Sequence, residues 1–220
     1  DAGTFSGVAA TSCSDGADGQ VSTAGSESCT DCVAGTFDNG SNECIDCADG
    51  QVSSAGSTAC NDCAAGTFDD GNNACIDCAD GSVSDTASTS CTECGGGTYD
   101  DGENFCAICD AGTFSGVAAT SCSDCADGQV STAGSESCTD CPAGTFDNGS
   151  NECIDCADGQ VSSAGSTACN DCAAGTFDDG NNACIDCAAG SVSDAASTIC
   201  TDCGVGPYDD GANFCATCHP

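Results

Sequence analysis

Lysine and arginine are absent from this chain, and so are Met, Trp and Leu. The only imidazole belongs to His219, beside the final residue. Without cations there is no basic surface to neutralise nucleic-acid phosphates and no polybasic patch for an anionic lipid face. Without a second His or any Lys, general-base triads and phosphate clamps cannot be assembled. An enzyme and a nucleic-acid binder are therefore not expected, and His219 is given no role. No apolar run approaches the roughly 20 residues that span a bilayer. Large apolar side chains are scarce: eight Phe, two Tyr and a few Ile and Val cannot build one close-packed core. Helices are not expected either, because Gly, Ser, Thr, Asn and Asp dominate and no apolar stripe has a helical period. Asp1 is no translation start and no signal peptide precedes it, so the chain is expected to be a mature product or a segment of something longer.

What is present is cysteine and negative charge. The 220 residues include 27 Cys and 36 Asp plus Glu, giving a formal charge of −36. Cysteine at this density reads as a disulfide scaffold, and hence as an extracellular or cell-surface location. The charge makes every segment repel every other. Divalent cation, salt, glycan or covalent constraint must offset it.

Two periods organise the chain. The long one is 109 residues: Asp1-Ala2-Gly3-Thr4-Phe5-Ser6-Gly7-Val8 returns as Asp110-Ala111-Gly112-Thr113-Phe114-Ser115-Gly116-Val117. The copies, 1–109 and 110–218, stay near-identical to the end, with 219–220 left as the start of a further segment or a tail. Among the differences, Gly16 faces Cys125, Val33 faces Pro142 and Gly96 faces Val205. The short period is a C-x-x-C pair every 15 or 16 residues, seven steps to each long repeat. Modules alternate between an Ala-Gly-Thr-Phe kind, such as 63–75, and an Asp-Gly-Gln-Val kind, such as 47–60. Asp-Gly and Asn-Gly steps are tight-turn signals. Each module is read as a short strand, a turn and a return to the next cysteine pair.

The segment Cys141-Pro142-Ala143-Gly144-Thr145-Phe146, followed by C-x-x-C, resembles the ephrin-receptor-like cysteine-rich repeats. More distantly the chain is similar to tumour-necrosis-factor-receptor type modules and to the cysteine-rich surface antigens of ciliates. The resemblance covers essentially the whole chain. It implies an extracellular, disulfide-laddered repeat, and such repeats occur in receptors, surface coats and filaments alike.

Two disulfide connectivities compete. One groups modules in twos; the other joins the second cysteine of each pair to the first of the next. Seven steps is an odd number, so grouping in twos would pair near-identical sequences differently in the two copies. Serial pairing treats every step alike and is favoured. It predicts Cys32–Cys44, Cys47–Cys60, Cys63–Cys75, Cys78–Cys91, Cys94–Cys106 and Cys109–Cys122. In the second copy it predicts Cys125–Cys138, Cys141–Cys153, Cys156–Cys169, Cys172–Cys184, Cys187–Cys200 and Cys203–Cys215. Cys13 and Cys218 would bond beyond the ends, and Cys29 loses its partner to Gly16. The alternative for this spacing is zinc held by four thiolates. Each such site would add two negative charges that nothing here neutralises.

Acidic residues recur just before the second cysteine and cluster at turns. They read as turn chemistry and a solvated face, with calcium as the sharper alternative. Its weak candidates are Asp69, Asp70, Asp100, Asp101, Asp178, Asp179, Asp209 and Asp210; no other cofactor is expected. Asn39-Gly40-Ser41 and Asn148-Gly149-Ser150 are N-glycosylation sequons at equivalent places in the long repeats. Phe37, Phe68, Tyr99, Phe146, Phe177 and Tyr208 recur about every 31 residues, as small cores against a disulfide or as a stripe for lateral association.

The expected fold is small, disulfide-rich β: an elongated solenoid or rod of tandem C-x-x-C hairpin-like modules, each contacting mainly its neighbours. The expected function is extracellular and structural, a building block of a surface filament, hair, coat or wall layer that associates with itself. The alternative is a stalk or surface antigen presenting a distal recognition domain.

Overall fold

The tripeptide pattern Ala-Gly-Thr starts a strand by forcing a turn. In Ala64-Ala65-Gly66-Thr67 the Thr67 N–H donates to the Ala64 carbonyl at 3.0 Å. Gly66 has φ +84°, the left-handed value that the third position of a type II turn requires and that glycine adopts freely. Thr67–Asp69 then runs as a strand and returns as Cys75–Asp77. The pairing is antiparallel, with Phe68 opposite Ile76 and Asp69 opposite Cys75. The other kind of module pairs two residues with two, as in Ser82–Val83 with Thr92–Glu93. A computed structural model describes residues 1–8, 10, 14–205 and 207–217. Among them every strand belongs to a two-stranded hairpin made with its sequence neighbour, and there is no helix.

The chain packs as two compact units. One comprises Asp1–Gly95, Tyr99–Ala107 and Val117–Ser121; the other comprises Gly96–Thr98, Ile108–Gly116 and Cys122–Pro220.

Within each unit the disulfides are serial. In the first, Cys32–Cys44, Cys47–Cys60, Cys63–Cys75, Cys78–Cys91 and Cys94–Cys106 close consecutive loops. In the second, Cys109–Cys122, Cys125–Cys138, Cys141–Cys153, Cys156–Cys169, Cys172–Cys184, Cys187–Cys200 and Cys203–Cys215 do the same. Sequence separations alternate between 12 and 13, as in Cys63–Cys75 and Cys78–Cys91, except that Cys109–Cys122 and Cys125–Cys138 are both 13. Among the described residues every cysteine but Cys29 is thus spent on a covalent rung rather than on a thiolate cluster. Each rung offers about 3 kcal/mol by restricting the unfolded chain. Cys13 and Cys218 lie outside the described residues, as does His219.

The interior of a module is sulfur and hydroxyl rather than aromatic. Cys63, Cys94, Cys141 and Cys172 are 0 % exposed. Phe37, Phe68, Phe146 and Phe177 are only half-buried. Ser22, Ser53, Ser84, Ser115, Ser131, Ser162 and Ser193 are buried and tie successive modules together. Ser53 Oγ donates to the Thr36 carbonyl at 2.8 Å and accepts from the Gly35 N–H at 3.0 Å. A hydroxyl can do both at once.

Packing reaches further than adjacent modules. A Cβ built on Gly50 would lie 2.0 Å from the Ala87 carbonyl oxygen, two modules ahead, and one on Gly159 would lie 2.0 Å from that of Ala196. The backbone passes so close that only glycine fits. Modules of 15 or 16 residues are thin enough for each to touch the next two.

Gly16 interrupts the ladder. Cys29 is the unpaired cysteine among the described residues, although its surroundings are those of a rung. A Cβ on Gly16 would lie 3.6 Å from Cys29 Cβ and 2.9 Å from its Sγ; bridged cysteines keep their Cβ atoms about 3.5–4.5 Å apart. Gly16 is not in the left-handed region, so a side chain is tolerated there. Gly16→Cys is therefore expected to close a thirteenth described rung, equivalent to Cys125–Cys138. Thiol titration of the denatured, unreduced variant, with peptide mapping, checks this. A Cys29 that stays reactive in the variant would show that its geometry is not that of a rung.

Candidate functional site

The polar turns of the Phe-type hairpins carry most of the residues singled out by the sequence. Asp69 uses both carboxylate oxygens on backbone: Oδ1 accepts from Gly71 N–H at 3.0 Å and Oδ2 from Gly50 N–H, one module back, at 3.3 Å. Asp100 does the same with Gly102 and Gly81, and Asp178 with Gly180 and Gly159. Asp70 Oδ1 accepts from Asn72 N–H at 2.8 Å and Ala74 N–H at 3.3 Å. Asp101, Asp179 and Asp210 cap their turns through Glu103, Asn181 and Ala212. The side chain of Asp209 lies outside the described set.

At Asp70 and Asp179 such bonds favour the ionised carboxylate. The Asn72 backbone N–H, helped by the Asn72 side chain, holds Asp70 below its ordinary value of 3.8, and Asn181 does the same for Asp179. The turn acids are thus first of all backbone acceptors. Among the described residues no three His, Cys, Asp or Glu side chains are arranged to hold a metal ion.

The next residue type in these turns went unnoticed in the sequence. Asn73 has φ 62°, and its amide acts as a detached peptide group. Its Oδ1 accepts from Ser53 N–H and its Nδ2 donates to the Ser53 carbonyl, both at 2.8 Å. The same reciprocal pair joins Asn42 to Ser22 and Asn104 to Ser84. In the other unit it joins Asn151 to Ser131, Asn182 to Ser162 and Asn213 to Ser193. Asn alone among common side chains combines this donor and acceptor with tolerance of the left-handed region. The signal was available: an Asn recurs 31 residues apart at 42, 73 and 104 and again at 151, 182 and 213.

The sequon asparagines stand at the tips of two of these turns and are exposed. Asn39 Oδ1 accepts from Ser41 N–H at 2.8 Å, and Nδ2 donates to Glu43 Oε2 at 3.4 Å. Asn148, Ser150 and Glu152 repeat the arrangement. On the hairpin face, Phe37 stands opposite Ile45, Phe68 opposite Ile76, Phe146 opposite Ile154 and Phe177 opposite Ile185. The isoleucines of these pairs are exposed. Tyr99 is half-buried and Tyr208 exposed. No helix among the described residues is long and apolar enough to cross a membrane.

Against this geometry, no protein-family model and no curated protein matches the chain.

Asn73→Ala removes two bonds and leaves both Ser53 backbone groups without their partner. A local loss of about 1–3 kcal/mol is expected, confined to adjoining modules. Hydrogen exchange at the Ser53 amide reads it out. Asn73→Gly keeps the left-handed backbone but not the bonds, and should speed exchange at Ser53 as well. Protection that survives in both variants would show that the amide rung is dispensable.

Proposed function

We propose that this chain is an extracellular structural repeat protein, a building block of a surface filament, hair, coat or wall layer that associates with copies of itself. The observation that carries this reading is the serial ladder. Each second cysteine bonds the next first cysteine, so the covalent path along the chain bypasses every hairpin loop. Stretched from Cys32 to Cys215, the oxidised ladder has a path of about 6 Å per bridge and about 10 Å per C-x-x-C link, roughly 180 Å in all. The same residues with every bridge reduced could extend to about 600 Å. Tension therefore meets a covalent stop in every module. This suits a load-bearing element and depends on no ligand.

Single-molecule pulling tests the mechanical half. The oxidised chain is expected to reach its limiting extension without large unfolding steps, and the reduced chain to extend about three- to fourfold further. Sequential long releases from oxidised protein would overturn the load-bearing reading.

Assembly is a separate question, because like charges on facing copies oppose contact within a Debye length. Calcium or glycan is proposed as the screen, with the Phe–Ile faces making contact once repulsion falls. Oxidised chains should assemble, by light scattering and electron microscopy, on adding calcium or raising monovalent salt from low levels. Chains that stay monomeric in both conditions would count against self-association and favour the stalk reading.

A further inference from the structure

The chain carries one acidic residue in about every six, yet some of its surface grooves have no charged lining, and one kind of these is rich in Ser and Thr. It lies on the first Asp-Gly-Gln-Val module of each long repeat. In the second copy it encloses about 490 Å³ and is lined by Val130, Ser131, Thr132, Ser135, Ser137 and Thr139, with Asn151 at its edge. In the first copy the equivalent residues, from Val21 to Thr30 with Asn42, line about 270 Å³. Ligand pockets commonly run from about 300 Å³ upward; the second-copy groove reaches that size and the first-copy groove falls just short of it. Thr23 and Ser26 share a hydrogen bond at 3.0 Å, and Thr132 and Ser135 one at 3.2 Å. Among the described residues the side-chain hydroxyls of Ser28, Thr30, Ser137 and Thr139 make no hydrogen bond.

A second observation says what belongs there. The edge residues Asn42 and Asn151 are the fourth residues of the two sequon turns, which begin at Asn39 and Asn148. The Asp-Gly modules that follow lack the acceptor and carry fewer of these hydroxyls. Ala59 and Asn61 replace Ser28 and Thr30 in the next module, and Asp85 replaces Thr23 in the one after. Their turns begin with Asp70 and Asp101, which cannot take an N-linked sugar. The Ser- and Thr-rich groove and the glycan acceptor therefore occur together, twice.

We propose that an N-linked oligosaccharide on Asn39 and on Asn148 folds back into the adjoining groove, which is its built seat. The inference rests on the secreted reading of the chain. Attachment forms a bond from Nδ2 to the sugar C1, releases the leaving group of an activated glycosyl donor and removes one amide proton. The second amide hydrogen keeps its bond to Glu43 or Glu152. The core sugars nearest the asparagine are neutral and add no charge to a chain already at −36, and their hydroxyls match the unpartnered Ser and Thr hydroxyls. Val21 and Val130 offer an apolar floor to a sugar face. Such a groove is too weakly featured to capture free sugar. A tether a few residues away supplies an effective concentration near the millimolar range, at which weak contacts are occupied.

The test uses the whole chain expressed in a secretory eukaryotic host, as wild type, as Asn39→Gln with Asn148→Gln, and as Thr23→Asp with Thr132→Asp. The last pair copies Asp85, a residue the same fold already accommodates. Intact mass should show glycan at both sites in the first and third proteins and at neither in the second. Proton NMR should place sugar protons against the Val21 and Val130 methyls in wild type. Native-state release by peptide N-glycosidase should be several-fold faster in the Thr→Asp protein. Glycan that is attached but shows no methyl contact and equal release rates would overturn the seat. Formed disulfides with bare Asn39 and Asn148 would overturn the attachment while leaving the secreted reading intact. Neither disulfides nor glycan would overturn both.

Discussion

A loop of 12 or 13 residues closed by one disulfide is the unit on which the rest of the structure depends. Ordering such a loop costs on the order of 1–2 kcal/mol for each residue's backbone. Among the described residues no large apolar side chain is fully buried to offset that; the fully buried ones are cysteines. The bridge acts on the other side of the balance, by removing conformations from the unfolded chain. Once the loop is closed, a two- or three-residue strand pair is enough to define it. Isolated hairpins of this size would not persist in water.

The polar groups then divide into two populations. Those facing the next module are used up: Ser hydroxyls, Asn amides and Asp carboxylates bond backbone groups one module away, at repeated geometry. Among the described residues no buried side-chain nitrogen or oxygen lacks a partner. In a thin module the backbone itself is the interior, so side chains that imitate peptide groups take the place of apolar packing. The remaining carboxylates stand in solvent. Their repulsion is held in check by covalent closure within the chain, and it resists association between chains.

The two long copies are not equivalent in every respect. Gly16 removes a rung that Cys125 supplies in the other copy, leaving Cys29 alone where Cys138 is bridged. The backbone nevertheless holds Gly16 where a cysteine would sit, since the neighbouring modules impose its position. Hydrogen bonds from the adjoining module, such as those between Asn42 and Ser22, hold this one step whose own bridge is missing.

Much of this was legible in the chain itself. The absence of Leu, Lys and Arg ruled out a conventional core and cationic chemistry, and the odd number of cysteine steps per repeat selected the serial ladder. Gly-Thr-Phe and Asp-Gly signals located the hairpins, because turn conformation is decided by the residues within it. The tertiary structure decided what touches across modules. Phe37 and its equivalents were candidates for the core, yet cysteine and serine occupy it, because a module is too thin to surround a ring. The left-handed asparagines showed a period of 31, but their partners lie 20 residues away. That pairing exists only once consecutive hairpins are stacked. The approach of Gly50 to Ala87 is likewise invisible in a sequence, since it depends on the distance between two backbones that no local residue sets.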